Sequence, residues 1–222
     1  RPVDLVQGAL LAAGASLALG VLLATVPADR LGRVLWCWLA GAVVFAAALN
    51  WTLNARTIVL LAPPAVLLFG RFCEARPGLR APALATSFAI GALIVAADAE
   101  LAGFGPSEAQ RVVREIEGQR VRFAGHWGFQ HYMEAAGYVH VELDRPQPRP
   151  GDVVVAPAMH QVANGGIASL RSGRSEWHER ARRIPVAVMD GDVGAGLHGS
   201  FLGPLPFAFT TGPLERVEVL RW

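Results

Sequence analysis

The stretch "LVQGALLAAGASLALGVLLATV", Leu5–Val26, decides the first fold prediction because it contains no charged side chain over 22 residues. A helix needs about 20 consecutive apolar residues to cross the hydrocarbon core of a bilayer. The buried core helix of a soluble protein is rarely apolar on every side over such a length. We therefore predict a membrane-spanning helix here and expect the same bilayer to organise the segments that follow it.

Three more apolar segments precede residue 105. The second segment has tryptophans near its ends, where indole rings favour the membrane interface. The third contains a Pro-Pro pair, which removes backbone donors and predicts a kinked or broken helix. With Leu5–Val26, the sequence thus predicts about four transmembrane helices within residues 1–104, the other three being Val34–Leu53, Thr57–Gly70 and Ala81–Ala97.

The arginines between these segments predict an orientation. Five arginines lie in the loops after the first and third segments, and two, Arg1 and Arg56, lie on the opposite side. Because cytoplasmic loops carry an excess of basic residues, the five-arginine side is predicted to be cytoplasmic. The chain is then an integral protein of the inner (cytoplasmic) membrane whose residues after 104 are extracytoplasmic.

The composition changes near Gly105. Residues 105–222 contain thirteen arginines, thirteen carboxylates and all six histidines, whereas residues 1–104 contain seven arginines and five carboxylates. Helical and alternating patterns succeed one another in the second half, beginning with a capping box at Ser107-Glu-Ala-Gln110. They predict a small α/β extracytoplasmic domain over 105–222 with a partly parallel sheet. Its strands are predicted at Val121–Ala124, Tyr138–Leu143, Asp152–Ala156, Ile184–Met189 and Glu215–Trp222, and two of its helices at Phe129–Ala136 and Ser175–Arg183.

Several classes of protein are disfavoured by composition. The chain has no lysine and no basic block interleaved with aromatic residues, so no nucleic-acid partner is predicted. Both cysteines lie in the apolar half and indicate no disulfide framework. No cofactor and no metal site is predicted. Because the chain starts with Arg-Pro, we expect it to be a fragment or a processed product.

The stretch "GHWGFQHYMEAAG", Gly125–Gly137, leaves three uses open: a metal site, a packed helix and a ligand contact. His126 and His131 are five residues apart, whereas zinc-binding histidine pairs on a helix are usually four apart. His126 and Trp127 fall at a strand-to-helix junction, where free N–H groups and the helix dipole favour anions. An indole there can also stack on a sugar ring. His126 and Trp127 are therefore predicted as substrate-binding residues.

Arg56 is the third predicted substrate-binding residue. It lies at the outward membrane boundary, ahead of the Pro-containing segment, where its guanidinium can pair with a lipid phosphate or simply reach the interface. Two carboxylate pairs are interpreted as structural. These are Asp98 with Glu100 at a helix exit, and Asp190 with Asp192 in a turn.

A family resemblance is carried by four stretches. "LNWTLNARTIVLLAPPAVLL" (Leu49–Leu68) resembles the late transmembrane region of bacterial membrane glycosyltransferases of the GT-C class, the group of protein O-mannosyltransferases and aminoarabinose transferases. The other three resemble the extracytoplasmic C-terminal domain of some members. They are "GHWGFQHYMEAAG" (Gly125–Gly137), "PGDVVVAP" (Pro150–Pro157) and "GAGLHGSFLGPLPFAF" (Gly194–Phe209).

The resemblance implies the C-terminal part of an enzyme that moves a sugar from a polyprenyl-phosphate donor to an acceptor outside the cytoplasm. Its partners are then membrane lipid, that donor and an unidentified acceptor. In the family, the catalytic base is an acidic residue of the first outer loop, and no segment here matches that loop. No catalytic residue is therefore assigned, and Arg56 matches only a basic position ahead of the Pro-containing helix. The alternative is a non-enzymatic, membrane-anchored domain that binds envelope glycans or a partner protein.

Overall fold

The computed structural model divides the chain into two compact units. One unit comprises residues 1–95 and 186–210, and the other comprises residues 96–185 and 211–222. Apart from a few isolated positions before residue 26, the structure describes residues 26–49, 59–116, 119–141, 148–158, 174–199, 202–203 and 205–221.

Two short helices lie within residues 26–74, apart from the segment 50–58 that the structure does not describe. Helix α1 (Arg30–Val44) has 15 residues and runs into a π-helical turn, Phe45–Leu49. Helix α2 (Ala62–Glu74) has 13 residues and follows a 3-10 turn, Val59–Leu61. At 1.5 Å per residue these α-helices are about 20 Å long, whereas the hydrocarbon core is about 30 Å thick.

The prediction of about four transmembrane helices is therefore wrong. In the part of the chain that the structure describes, one helical run, Pro77–Glu115, is long and apolar enough to cross a membrane by length and composition. Its apolar portion is helix α3 (Pro77–Ala102). The predicted first span, Leu5–Val26, lies largely outside the described residues.

The Pro-Pro pair begins a helix instead of breaking one. Pro63 and Pro64 lie in the first turn of α2, where backbone N–H groups have no partner within the helix. The helix then continues past Gly70 and includes Arg71 in its last turn. A hydrophobic run interrupted by proline was therefore a poor guide to the boundaries of this helix.

The second unit is built on a five-stranded mixed sheet. Its strands are β1 (Arg120–Phe123), β2 (Val139–His140), β3 (Asp152–Pro157), β4 (Arg174–Arg180) and β9 (Glu215–Arg221), in the order β2-β1-β3-β9-β4. Strand β1 pairs in parallel with β2 and β3. Strand β9 pairs in antiparallel fashion with β3 and β4.

Two helices cover one face of this sheet. Helices α4 (Phe104–Glu115) and α5 (Trp127–Ala135) supply buried apolar side chains to a common core with β1, β3 and β9. Because side chains alternate across a strand, the opposite face has its own cluster. That cluster consists of Ala124, Val141, Val154, Ala156 and Leu220.

Two local predictions in this unit are wrong. The capping box at Ser107 does not start a helix, because α4 begins at Phe104, and the Ser107 hydroxyl donates to the carbonyl of Phe104. The predicted helix Ser175–Arg183 is largely strand β4, which pairs with β9 along its full length. Most residues of β4 are exposed, so no apolar alternation marks it as a strand.

The segment 186–210 of the first unit forms two small antiparallel ribbons. Strands β5 (Val186–Ala187) and β8 (Ala208–Phe209) pair with each other, as do β6 (Met189–Asp190) and β7 (Ala195–Gly196). Asp190 accepts a hydrogen bond from the backbone N–H of Asp192 at 3.0 Å. This is the geometry of a turn, as the sequence predicts for that carboxylate pair.

Asp152 is a buried carboxylate of the sheet that forms salt bridges with two arginines. Its carboxylate is 2% exposed and contacts the guanidinium groups of Arg120 at 3.0 Å and Arg122 at 2.9 Å. Burial alone would raise the pKa of Asp152, but the hydrogen bond from the Arg149 N–H and the two arginine charges outweigh it and lower that pKa. The ionised form of Asp152 therefore stabilises the folded sheet.

We expect Asp152→Asn to lower the free energy of unfolding by about 1.5–3 kcal/mol at neutral pH, the range for a hydrogen bond to a charged group. A lowered pKa in the folded state contributes stability above the unfolded value, near 3.8, and loses it as the pH falls through the folded value. The difference between the wild type and Asp152→Asn should thus be constant near neutrality and shrink below about pH 4. Urea unfolding followed by near-ultraviolet circular dichroism measures it.

Glu134→Gln is the matched control, because Glu134 is an exposed carboxylate of the same unit whose described partner is the Gln130 amide. Its effect should stay within about 0.5 kcal/mol at every pH. Equal stability of Asp152→Asn and the wild type at pH 7 would contradict the conclusion that ionised Asp152 stabilises the folded sheet.

Candidate functional site

The order of the parallel strands predicts a crevice at the carboxyl end of β1. The chain leaves β1 through α5 to reach β2 on one side, and it later places β3 on the other side of β1. Such a reversal leaves an opening outside the carboxyl ends of the strands, where α/β proteins commonly bind ligands. The turn between β1 and α5 lies at this opening and contains Gly125, His126 and Trp127.

Gly125 makes the sharp turn possible. It is buried and has φ +148°, a backbone conformation that favours glycine. A Cβ atom at this position would lie 2.9 Å from Cδ1 of Phe129 and 3.4 Å from Cδ of Pro157. The turn is therefore held against the Phe129 ring and the end of β3, and no larger residue fits there without rearrangement.

Trp127 is held in a strained backbone conformation. Its φ is +58°, and among the described residues it is the one residue other than glycine with positive φ. This region costs a bulky residue about 1–3 kcal/mol. The indole is 50% exposed and therefore lies outside the core.

The amino end of α5 lacks a side-chain cap. His126 is the N-cap residue and has extended backbone geometry, but its side chain makes no capping hydrogen bond. The first N–H groups of a helix have no acceptor within the helix and carry a partial positive charge. The turn therefore places an exposed indole next to a helix terminus that no side chain caps.

A second histidine lies beside His126. The imidazole of His140, the last residue of β2, is 5.3 Å from the ring of His126 and 4.9 Å from the ring of Phe123, centroid to centroid. His140 is 3% exposed, and its Nε2 atom has no hydrogen bond within the part of the chain that the structure describes. The parallel pairing of β1 with β2 brings the two histidines together.

A cavity of about 490 Å³ lies at the same edge of the sheet. Because β9 is antiparallel to β3 and β4, the beginning of β9 and the end of β4 lie at the edge where β1 and β3 end. The walls come from the end of α3, the start of α4 and the end of β4. Charged and polar residues of these walls are Glu100, Ser107, Glu179, Arg180 and Arg183.

Glu100, in the wall of this cavity, links the end of α3 to the segment after β4. Its two carboxylate oxygens accept the backbone N–H groups of Arg183 at 2.7 Å and Ile184 at 3.0 Å. The sequence interpretation of a solvated helix exit missed this contact. It joins residues more than 80 positions apart, and no local pattern signals such a pairing.

The structure brings together His126 and Trp127, whose ring centroids are 6.4 Å apart. Arg56, the third predicted site residue, lies outside the described residues. His131 contacts the ring of Tyr132 at 5.2 Å. In the described ranges no group of three His, Cys, Asp or Glu side chains is arranged to hold a metal ion.

Comparisons of the chain with models of protein families, with curated proteins and with solved structures give no match. The function is therefore argued from the geometry of this edge and from the resemblance of the four stretches of sequence.

Gly125 in the turn and Gly128 at the start of α5 allow a matched test of the turn's backbone geometry. We expect Gly125→Ala to lower the free energy of unfolding by about 1–3 kcal/mol, because alanine is strained at φ +148° and its methyl group meets Phe129. Gly128→Ala meets nothing within 4 Å, and alanine favours a helix over glycine by about 1 kcal/mol. Urea unfolding of both variants should therefore show opposite signs, and a destabilised Gly128→Ala with an unchanged Gly125→Ala would refute the turn geometry.

Proposed function

We propose that the chain is the C-terminal part of a membrane glycosyltransferase that moves a sugar from a polyprenyl-phosphate donor to an acceptor outside the cytoplasm. In this reaction the bond between the anomeric carbon and the phosphate oxygen breaks, and a bond to the acceptor oxygen forms. The acceptor proton passes to a carboxylate that the resemblance assigns to an outer loop not matched in this chain. The residues present supply binding and orientation.

The position of the crevice supports a substrate that is anchored in lipid. The end of α3, which contains Glu100, lines the cavity at the carboxyl edge of the sheet together with Arg180 and Leu214. Helix α3 is also the described helix that can cross a membrane. The carboxyl edge is therefore the edge reached by the chain as it leaves this helix, which suits a donor whose reactive group remains near the bilayer.

Charge on the two flanks of α3 supports an outward placement of the sheet. Arg71, Arg76 and Arg80 lie at its amino end, and Asp98 and Glu100 lie near its carboxyl end. Basic flanks favour the cytoplasmic side. With α3 as a span of the inner membrane, the second unit is extracytoplasmic.

The exposed indole of Trp127 is the observation that carries the proposal. A flat aromatic face beside the amino end of a helix suits a sugar next to an anionic group, with the sugar ring stacked on the indole and the anion near the positive end of the helix dipole. His126 lies within the same turn and offers a hydrogen-bonding group to the sugar. Arg56 is assigned to the donor phosphate, whose negative charge grows as the bond to the sugar breaks.

We expect Trp127→Ala to lower sugar transfer by about 2- to 12-fold, since an aromatic stack contributes about 0.5–1.5 kcal/mol. The assay measures transfer from a radiolabelled polyprenyl-phosphate sugar by the full-length protein in membrane vesicles. Trp127→Gly should lose transfer as well while relieving the positive φ. Because glycine tolerates the positive φ, a loss of transfer in Trp127→Gly would come from the missing indole and not from backbone strain.

Trp177→Ala is the matched control, because Trp177 is 51% exposed on strand β4 of the same unit. Its transfer rate should stay within about twofold of the wild type, whereas a loss equal to that of Trp127→Ala would count against the site. Unchanged turnover and donor affinity in Arg56→Ala would remove Arg56 from the mechanism. A wild-type protein that binds glycans through Trp127 without transferring sugar would support the alternative, a membrane-anchored binding domain.

A further inference from the structure

The first unit contains a basic cavity that the transferase proposal does not use. Its volume is about 340 Å³, and it lies where α1 begins and α2 ends. The wall combines apolar side chains with one carboxylate and two guanidinium groups. The lining residues are Pro27, Ala28, Asp29, Leu68, Arg71, Phe72 and Arg76.

Asp29 is already fully engaged in this cavity. Its Oδ1 accepts the backbone N–H of Gly32 at 2.9 Å as the N-cap of α1, and its Oδ2 accepts the guanidinium of Arg71 at 2.8 Å. The Gly32 hydrogen bond and the Arg71 contact lower the pKa of Asp29, so the carboxylate is ionised at neutral pH. The charge of Arg71 thus offsets that of Asp29 at the wall of the cavity.

Arg76 supplies a cation that no described carboxylate neutralises. Its guanidinium carbon lies 4.0 Å from the centre of the Phe72 ring, a cation–π contact that fixes one face of the group. This stack leaves the N–H groups at the rim of the guanidinium available to an acceptor. Over the described residues of 26–80, Arg76 and four further arginines outnumber the two carboxylates, Asp29 and Glu74; the four are Arg30, Arg33, Arg71 and Arg80.

The length of α3 sets the depth of this cavity in a bilayer. Arg76 immediately precedes α3, whose 26 residues span about 39 Å against a hydrocarbon core of about 30 Å. The first turn of α3 therefore reaches the headgroup region. Arg80 in that turn donates to the carbonyls of Cys73 and Glu74 at 3.2 Å, which turns its charge toward the end of α2 and away from the apolar part of α3.

We propose that this cavity binds the phosphate group of an anionic phospholipid, with Arg76 as the main donor and the Leu68 and Phe72 walls contacting the start of the acyl chains. A phosphodiester oxygen accepts from a guanidinium in the fork geometry that arginine offers. The unpaired positive charge favours lipids with a net negative headgroup over zwitterionic ones. The site thus ties the first unit to the leaflet that contains the basic flank of α3.

The experiment measures lipid binding to the full chain in neutral detergent by native mass spectrometry, with phosphatidylglycerol and phosphatidylcholine as probes. Phosphatidylglycerol should bind more tightly, and Arg76→Ala should weaken it by about fivefold, the effect of one basic residue near an anionic surface. Arg33→Ala is the matched control, because Arg33 belongs to the same basic group but does not line the cavity. Its affinity for phosphatidylglycerol should stay within about twofold of the wild type.

Three results would overturn the proposal. Equal losses in Arg76→Ala and Arg33→Ala would mean that bulk charge, and not the cavity, attracts the lipid. Equal binding of the two lipids by the wild type would remove the preference for a negative headgroup. Displacement of phosphatidylglycerol by millimolar inorganic phosphate would assign the cavity to free phosphate instead of lipid. Circular dichroism of each variant checks that the helices are retained.

Discussion

The packing of the Phe129 ring is the interaction on which the second unit depends. The ring lies 5.8 Å from that of Phe123 in β1 and 6.1 Å from that of Phe104 in α4, and it is fully buried. One side chain of α5 therefore joins a strand and the neighbouring helix. Because the same ring also occupies the space beside Gly125, it fixes the direction in which the chain leaves β1.

The second constraint is that charged contacts at the sheet edges are long-range. Asp152 joins the starts of β1 and β3 through Arg120 and Arg122, and Glu100 joins the end of α3 to the segment after β4. Each carboxylate has partners in distant parts of the chain, and Asp152, which is buried, also accepts a hydrogen bond from the nearby N–H of Arg149. Together these contacts hold the two edges of the sheet, one at each end of its strands.

The sequence predicted correctly those elements whose apolar pattern matches their burial in the fold. Strand β3 was predicted as Asp152–Ala156 and is Asp152–Pro157, since its run of valines is buried on both faces. Strand β4 was predicted as a helix because its exposed, charged residues show no alternation, and only pairing with β9 makes it a strand. Local propensity is weak evidence where tertiary pairing decides.

The transmembrane count failed for a related reason. The predicted segments Val34–Leu53 and Thr57–Gly70 are uncharged, but apolar composition does not set helix boundaries, since α1 begins at Arg30 and α2 includes Arg71. A helix that contains such residues near its ends leaves too short an apolar length for the hydrocarbon core. Helix α3 differs because its basic residue, Arg80, lies in the first turn and its acidic residues lie near the other end.

The candidate site was partly visible in the sequence and partly not. The sequence placed His126 and Trp127 at a strand-to-helix junction, because Gly125 follows a predicted strand and a predicted helix begins at Phe129. His140 was not identified, since its approach to His126 depends on the parallel pairing of β1 with β2. The cavity at the same edge depends on β9 and β4, whose relation to β3 no local pattern encodes.

The positive φ of Trp127 distinguishes this residue of the turn from the other described residues that are not glycine. A glycine would adopt φ +58° at lower cost, and the chain already uses a glycine with positive φ at position 125 of the same turn. The fold itself therefore does not require a bulky residue at position 127, and half of the Trp127 surface is left exposed to water. An exposed aromatic side chain at a positive φ makes Trp127 the residue of this turn to test first for contact with a ligand.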